Sequence, residues 1–455
     1  MNSREGSQVP QPDPLDGRTP LKDAHELTKD LCTGEVDVPL PGCPPVSLAS
    51  KPPVAGTDPI PEPDQSRLDG ELLETENTVP DPTLSETKTF KPLEIVDIVD
   101  LDWEAVRDQA NPSSIRARVR SAVESMEALL DQADGPGMLF DEFRGSPTDK
   151  VIKVSAFQTE SPLWIIGDLH GDLLALEAAL EAVRQQGLQL LDRPPRLLFL
   201  GDLFDDEGFG LEVLIRILEL IVEAPDRVCL IAGNHDEALS YDGVRFSSSV
   251  TPSDFADFLN ANLTHEWIER AGKLAVRLFA NAPRAIFFPD GLLAVHGGFP
   301  LVDLHPALAQ TEDWNDPMCL SDFVWTRAHP KARKKLPNRF SRGSQFGYED
   351  FGVFCSLCEG LGRPVTHMIR GHDHVEERYA NFPAYHATPL VTTVALSRRL
   401  SREAFGSYER VPTMARYVEG ALPSVCRLHI PPEMIRAYYP PRAVDSIDNH
   451  PKEEH

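Results

Sequence analysis

The sequence predicts an α/β fold in which a two-layer β-sandwich is flanked by helices. Short apolar runs alternate with amphipathic helical stretches over the middle of the chain, and a second group of apolar runs follows them. The hydrophobic content of 41% and the charged content of 25% are those of an ordinary globular protein. These observations favour a globular α/β domain over a membrane or fibrous protein.

Residues 1–95 predict a disordered, acidic, proline-rich tail. They hold 16 of the 41 prolines and carry 18 acidic residues against 8 basic ones, without sustained periodicity. Such a segment buries too little apolar surface to offset the entropy that ordering would cost. The alternative is that this tail is a docking arm for a partner that the sequence does not identify.

Residues 96–160 predict a helical lead-in that packs on the domain after it, because the stretch IRARVRSAVESMEALLDQ has helical spacing. The domain itself is expected to span residues 161–440. Residues 441–455 are polar and predict a loose C-terminal tail.

Strands and helices alternate at the start of this domain. The runs LWII, DLLALEAALEAVRQQ, RLLFL, LEVLIRILELIV and RVCLIA are typical of strand, helix, strand, helix and strand. This order implies parallel strands joined by right-handed crossovers. The later runs AIFFPD, LLAVHG, THMIRGH and LVTTVAL predict a second, more antiparallel set of strands.

Charge and composition exclude several classes of partner. A formal net charge of -27 argues against nucleic-acid binding, which needs a basic surface to displace counterions. The first residues lack a signal peptide, and the most apolar stretch, LEVLIRILELIVEA, is interrupted by Arg216 and Glu219, so no membrane span is expected. Seven cysteines without regular spacing predict no disulfide framework. We therefore expect a cytoplasmic protein.

Five short polar motifs each follow an apolar run, where a strand should end and a loop begin. They are GDLHG (167–171), GDLFD (201–205), GNHD (233–236), HGG (296–298) and RGHDH (370–374). Ligands of open parallel sheets collect beyond the carboxyl ends of the strands. We therefore expect the five motifs to converge on one site.

The residue types in these motifs predict a site for two divalent metal ions. Carboxylate, imidazole and amide oxygen ligands without thiolates suit hard or borderline ions. Asp168 and His170 are spaced to bind one ion, and Asp202 is placed to bridge it to a second. Asn234, His296 and His372 would complete the second ion's ligands.

The ordered set of motifs resembles the calcineurin-like metallophosphoesterase superfamily. The sequences of the motifs are most similar to those of the serine/threonine phosphoprotein phosphatase family. GDLHG, GNHD and VHGGFPLVDL are similar to family motifs, as are SRGSQFGYEDF (341–351) and RGHDHVEERYANF. The resemblance covers about 235 residues. It implies the same fold and the same six metal ligands.

The resemblance also implies roles that the spacing alone does not give. His235 matches the family's catalytic acid, Asp205 the carboxylate that orients it, and Arg342 a phosphate-binding arginine. Asn234 would contact the substrate as well as a metal. The metals implied are two of manganese, iron or zinc, with a bridging water that attacks phosphorus in line.

The sequence departs from the family at positions that matter for substrate binding. Where the family has a phosphate-gripping arginine after its second motif, this chain has Asp206. Either Asp206 points away and another arginine such as Arg327 or Arg370 substitutes for it, or it faces the site. The family's late SAPNY motif has no clear match in TTVALSRRLS. His374 is a further open position, because both histidines of a GHxH pair bind metal in much of the superfamily.

These features predict a metal-dependent phosphatase that hydrolyses phosphomonoesters, with phosphoserine or phosphothreonine in proteins as the substrate. A phosphodiesterase or nucleotide pyrophosphohydrolase is the alternative enzyme, because GDLFD and GHDH also occur among diesterases. A phosphate-sensing scaffold protein is a third hypothesis, motivated by Asp206 and the acidic tail.

Overall fold

Two six-stranded β-sheets stack face to face in this protein. The structure, a computed structural model, describes residues 93–157, 161–190, 195–301, 308, 312–332, 336–337, 343–381, 385, 390–403 and 406–442. Residues 1–92 and 443–455, which make up most of the tails predicted for residues 1–95 and 441–455, lie outside the described residues, as does the predicted phosphate-binding residue Arg342. None of the described helices is long and apolar enough to cross a membrane.

The described strands are β1 (Ile95–Ile98), β2 (Val151–Lys153), β3 (Leu163–Ile166), β4 (Arg196–Phe199), β5 (Val228–Leu230), β6 (Leu239–Tyr241), β7 (Phe246–Ser248), β8 (Ala285–Phe287), β9 (Leu292–Val295), β10 (Arg327–Ala328), β11 (Leu336–Pro337), β12 (Ser344–Phe346), β13 (His367–Arg370), β14 (Tyr379–Asn381), β15 (Leu390–Thr393), β16 (Thr413–Tyr417) and β17 (Ser424–Leu428). The described α-helices are α1 (Trp103–Gln109), α2 (Pro112–Arg116), α3 (Val119–Leu130), α4 (Leu173–Leu190), α5 (Gly210–Glu223), α6 (Asn234–Ala238), α7 (Asp254–Ala261), α8 (Glu266–Asn281), α9 (Pro317–Trp325), α10 (Tyr348–Gly360) and α11 (Pro432–Tyr438).

The first sheet contains the parallel strands that the sequence predicts. Its order is β1, β17, β16, β3, β4, β5. β3, β4 and β5 pair in parallel, with α4 and α5 as the crossovers between them. β16 joins β3 in antiparallel orientation, and β1 joins β17 in parallel at the edge. The predicted alternation of strands and helices is confirmed for this half of the domain.

The second sheet is less antiparallel than the sequence predicts. Its order is β14, β15, β13, β9, β8, β2. β8 and β9 are antiparallel, but β9 with β13 and β13 with β15 are parallel pairs. The prediction was wrong at these pairs, and for β9 with β13 the reason is that α9 and α10 lie between the two strands. A connection that contains helices can return the chain to the same end of the sheet, which parallel pairing requires.

Alternation along the strands divides the apolar side chains between two layers. In β3, Ile165 faces the space between the sheets together with Ile369 of β13, whereas Trp164 and Ile166 face the helices. Successive side chains of a strand point to opposite faces, so one strand supplies both layers. On the outer face of the second sheet, Phe323 of α9 and Phe354 of α10 form a separate core. The result is the predicted sandwich with helices on both outer faces.

The lead-in contributes strands as well as the predicted helices. Val123 and Met126 of α3 are buried in the same core as α4 and α5. β1 extends the first sheet through β17, and β2 extends the second sheet by pairing in parallel with β8. The prediction of a helical lead-in omitted both strands. Since β2 has only three residues, it carries too short a pattern to be recognised.

Candidate metal centre and active site

The polar motifs meet at one end of the sandwich, beyond the carboxyl ends of five strands. Asp168 follows β3, Asp202 follows β4 and Asn234 follows β5. From the second sheet, His296 follows β9 and His372 follows β13. All five side chains are buried. The structure thus brings together predicted ligands that are up to 204 residues apart in the chain.

One group of possible metal ligands contains Asp168, His170 and His374. The Nε2 atom of His374 lies 3.0 Å from Asp168 Oδ2, and the centroids of the His170 and His374 rings are 5.0 Å apart. The other nitrogen of His374, Nδ1, lies 3.3 Å from a carboxylate oxygen of Glu403. A carboxylate behind an imidazole fixes its tautomer and is common behind metal-binding histidines. His374, which the sequence left open, therefore lies within this group.

The second group contains Asp202, His296 and His372, with Asn234 beside them. Around His296 Nε2 lie His372 Nδ1 at 3.1 Å, Asn234 Oδ1 at 3.2 Å and Asp202 Oδ2 at 3.3 Å. The Nε2 atom of His372 is buried and has no hydrogen-bond partner among the described residues. These are the four residues that the sequence assigned to one ion.

Asp202 belongs to the second group and also faces the first group. Its Oδ2 atom is 3.5 Å from His170 Nε2 on one side and 3.3 Å from His296 Nε2 on the other. Its Oδ1 atom accepts a hydrogen bond from the backbone N–H of His235 at 2.8 Å. One carboxylate oxygen is thus fixed by the backbone, and the other faces ligands from both groups.

The second group has the electrostatics of a cation site. His296 Nδ1 donates to the carbonyl oxygen of Leu200 at 2.9 Å, which leaves the Nε2 lone pair facing two oxygens. Burial lowers the pKa of His296, but the carboxylates of Asp202 and Asp168 outweigh this effect and raise the pKa to about 9. A positive charge, either a proton or a metal ion, is therefore stabilised at this point. The donor set fits a divalent ion of the hard or borderline kind.

His170 is oriented in the same way in the first group. Its Nδ1 atom lies 3.1 Å from the carbonyl oxygen of Phe204, and this contact leaves Nε2 for a ligand. Burial drives the pKa of His170 well below its usual value, with the nearby Arg402 guanidinium acting in the same direction. A neutral imidazole is the form that binds a metal.

His235 and Asp205 form a buried hydrogen-bonded pair. His235 Nδ1 lies 2.7 Å from Asp205 Oδ2, and Asp205 Oδ1 accepts from the backbone N–H of Phe255 at 2.9 Å. Burial lowers the pKa of His235, but the carboxylates of Asp202 and Asp205 raise it by more, so it lies above its usual value. A protonated imidazole held by a fixed carboxylate can act as a general acid.

The site opens into a cavity of about 470 Å³. Residues of the second ligand group form part of its wall, as do charged residues of both signs. The lining residues are Asp202, Asn234, His235, Arg327, His372, Asp373, His374, Val375, Glu376, Arg402, Glu403 and Arg410. Arg370, one of the two substitutes considered for the missing family arginine, is fully buried, whereas Arg327 lines the cavity.

Asp206 faces the site. Its Oδ2 atom lies 3.2 Å from His170 Nδ1 and 2.9 Å from a guanidinium nitrogen of Arg402. Asp206 thus contacts a proposed metal ligand and an arginine that lines the cavity, and its effect on substrate binding stays a prediction. Arg402 received no role from the sequence. It lies nine residues after the end of β15, farther from a strand end than the recognised motif residues, and no local pattern marked it.

Comparison with known families gives a match over much of the domain. A family model described as calcineurin-like phosphoesterase matches residues 161–376. The PP2A-like serine/threonine-protein phosphatase PPG1 of Candida albicans is 25% identical over 232 residues, which are 49% of each chain. The serine/threonine-protein phosphatase SIT4 of the same organism is 27% identical over 172 residues, 37% of this chain and 50% of SIT4. The chain spans about half the length of the curated relatives that it matches.

The matches to solved structures are more distant in sequence. A Saccharomyces cerevisiae protein serine/threonine phosphatase similar to human PP5 superimposes with a TM-score of 0.46 at 15% identity, covering 70% of this chain and 90% of its own. A metallophosphoesterase from Sphaerobacter thermophilus gives a TM-score of 0.31 at 15% identity, covering 61% and 92%.

Proposed function

We propose that this chain, whose residues 161–376 match a family model described as calcineurin-like phosphoesterase, is a phosphatase that binds two divalent metal ions and hydrolyses phosphomonoesters. The observation that carries the proposal is the position of Asp202, whose Oδ2 atom faces His170 of one ligand group and His296 of the other. A carboxylate placed in this way can bind two ions at once.

Each ion has its own ligands in this proposal. Asp168, His170 and Asp202 would hold the first ion, with His374 beside them, and Asp202, Asn234, His296 and His372 would hold the second. The ions are manganese, iron or zinc, since oxygen and imidazole ligands suit each of them. When bound, they supply a nucleophile at neutral pH by lowering the pKa of a water molecule, and they neutralise phosphate charge.

The remaining chemistry belongs to the chain. His235 holds a proton at Nε2 and transfers it to the oxygen of the leaving group, because its Nδ1 is occupied by Asp205. Asp205 keeps the ring in place through its own bond to the backbone of Phe255. Burial of this pair excludes water that would compete for the proton.

The proposed substrates are phosphoserine and phosphothreonine in proteins. Two features support this: the similarity to the serine/threonine-protein phosphatases named above, and the resemblance of the motif spelling to that family. In addition, the leaving oxygen of an alkyl phosphate is strongly basic, so protonation by His235 is needed for such substrates.

Phosphodiester hydrolysis is a second candidate, favoured by the position of His374. Its Nε2 atom lies 3.0 Å from Asp168 Oδ2, the arrangement expected if both histidines of the GHDH motif bind metal. This spelling also occurs among diesterases.

Turnover of p-nitrophenyl phosphate and bis-p-nitrophenyl phosphate with added Mn²⁺ separates these functions. A phosphatase hydrolyses the monoester and leaves the diester largely intact. Comparable turnover of both compounds would support the diesterase. Absence of turnover with either, while Mn²⁺ is bound, would overturn the enzyme proposal in favour of a phosphate-sensing scaffold.

A further inference from the structure

A segment after β15 brings an arginine into the site. The segment spans residues 396–403 and has no regular secondary structure. Its start is fixed by Ser397, whose backbone N–H and hydroxyl both donate to Asp172 Oδ2, at 2.8 and 2.7 Å. The other oxygen of Asp172 accepts from the backbone N–H of Ala175 in the first turn of α4 at 2.9 Å. The segment is therefore tied to the loop that carries His170.

The far end of the segment is held by a buried ion pair. Arg378 is fully buried and donates to Glu403 through two nitrogens, at 2.7 and 2.9 Å. It also donates to the carbonyl oxygens of Leu396 and Arg398. The Glu403 carboxylate also lies 3.3 Å from His374 Nδ1. Residues between these anchors have little freedom to move.

Two arginines of this segment contact Asp206 in different ways. Arg398 donates to the Asp206 carbonyl oxygen at 2.9 Å and lies over the ring of Tyr439, which makes it part of the framework. Arg402 instead extends towards the cavity, and about a third of its side chain is exposed. One of its nitrogens lies 2.9 Å from Asp206 Oδ2 and 3.0 Å from His170 Nε2, and the other lies 3.2 Å from His235 Nε2.

The other described arginines that line the cavity are engaged elsewhere. Arg327 donates to the carbonyl oxygen of His372 and to Asp373, each at 2.9 Å. Arg410 pairs with Glu376 at 3.1 Å, and its side chain is almost fully buried. Neither has a hydrogen bond or ion pair with His235 or His170 of the kind that Arg402 makes. Arg402 is thus the cavity arginine whose donors face both the proposed acid and a proposed metal ligand.

We propose that Arg402 binds the phosphoryl group of the substrate, and that Asp206 is a positioning residue that holds its guanidinium beside His170 and His235. The proposal rests on the phosphatase function above. With His170 Nε2 serving as a metal ligand, the Arg402 donor that faces it would be available to a phosphoryl oxygen. A guanidinium can bind two such oxygens at once, which an ammonium cannot do in the same geometry.

This assignment explains why an aspartate is tolerated next to a site for a dianion. A lone carboxylate close to a phosphate would repel its negative charge. Paired with Arg402, Asp206 carries no net charge towards the substrate. In the resembled family, the arginine that binds phosphate stands at the position of Asp206. In this chain Arg402, from the C-terminal half of the domain, would take over that role while paired with Asp206.

The test compares orthophosphate binding to the Mn²⁺-loaded full chain in wild type, Arg402→Gln and Arg402→Lys. Binding is measured by calorimetry and by competitive inhibition of p-nitrophenyl phosphate turnover. A charged hydrogen bond contributes about 1.5–3 kcal/mol, so Arg402→Gln should weaken orthophosphate about 10- to 100-fold. Arg402→Lys should recover part of the affinity. Arg120→Gln, which removes an exposed arginine of α3, is the matched control and should bind like wild type.

Asp206→Asn distinguishes positioning from a structural role. It should weaken orthophosphate in wild type but cause little further loss in the Arg402→Gln chain, because the two residues act as a unit. Thermal unfolding of all variants should stay close to that of Arg120→Gln. Orthophosphate affinity of Arg402→Gln within twofold of wild type would overturn the proposal. If wild type bound orthophosphate but hydrolysed no ester, the phosphatase function would fail, and the calorimetric comparison would still decide the role of Arg402.

Discussion

Several of the site residues occupy a backbone region that favours glycine. Asp202 has a φ angle of 53°, His170 of 39° and His372 of 70°. A non-glycine residue with positive φ is strained, and strain of this kind persists only where the surroundings hold it. The strained backbone of Asp202 is stabilised by a hydrogen bond, since its N–H donates to Asp236 Oδ2 at 2.6 Å. The strained geometry directs the Asp202 carboxylate towards both ligand groups.

The role of the single residue His235 as general acid can be tested with two substrates. His235→Ala should lower kcat for a phosphoserine peptide by about 10²- to 10⁴-fold, the usual contribution of general acid catalysis. The loss should be smaller with p-nitrophenyl phosphate, because nitrophenolate leaves without much protonation. His265→Ala, an exposed histidine before α8, is the control. Equal losses with both substrates would refute the role of His235 as proton donor.

Single strands and loops determine where the ligands lie, and Asp236 connects two of these loops. Its Oδ2 atom accepts from the backbone N–H groups of Asp202 and Gly233, and its Oδ1 atom accepts from that of Leu203. It thereby joins the loop after β4 to the start of α6. The motif GNHD contains this residue, but local spacing does not reveal that its partners lie in another loop.

Asp236→Asn should therefore reduce both stability and metal affinity. An asparagine replaces one acceptor oxygen with an N–H group, so at least one buried backbone N–H loses its partner, at a cost of about 1–3 kcal/mol. Chemical denaturation measures the stability, and Mn²⁺ titration measures the affinity. Asp257→Asn on the exposed face of α7 should change neither. If Asp236→Asn matched this control, the connection through Asp236 would not matter.

Some elements were predictable from the sequence and others were not, for identifiable reasons. β3, β4 and β5 are buried apolar runs between amphipathic helices, so their pattern is local and strong. The parallel pairing of β9 with β13 depends on the helices between them, which the strand pattern does not contain. The segment with Arg402 has no regular structure, and its position depends on contacts such as Ser397 with Asp172, 225 residues away. No local pattern encodes such a contact.

At the scale of the whole molecule, the lead-in completes both sheets, whereas the acidic segment before it has the composition of a tail. β1 begins at Ile95 and pairs with Val425 of β17 at the edge of the first sheet. The side chain of Glu94 accepts a hydrogen bond from Ser424 at 2.7 Å. The boundary between tail and domain is therefore expected just before Glu94, close to the predicted position at residue 95.

A chain beginning at Lys91 should keep the melting temperature and the p-nitrophenyl phosphate turnover of the full chain. A chain beginning at Asp100 should melt at a lower temperature, because the loss of β1 exposes the edge of β17 and part of the first sheet's core. Thermal unfolding and turnover are measured for both chains. A marked loss of stability in the longer of the two would show that residues before Lys91 pack on the domain.

The proposed bridging role of Asp202 is tested most directly by counting the metal ions that the chain binds. The metal-free full chain is titrated with Mn²⁺, and bound metal is measured by elemental analysis alongside p-nitrophenyl phosphate turnover. We predict two ions per wild-type chain, turnover that rises with occupancy of both, and for Asp202→Asn the loss of at least one ion and nearly all turnover with the fold retained. If Asp202→Asn still bound two ions and its turnover stayed near that of wild type, Asp202 would not bridge the two ions.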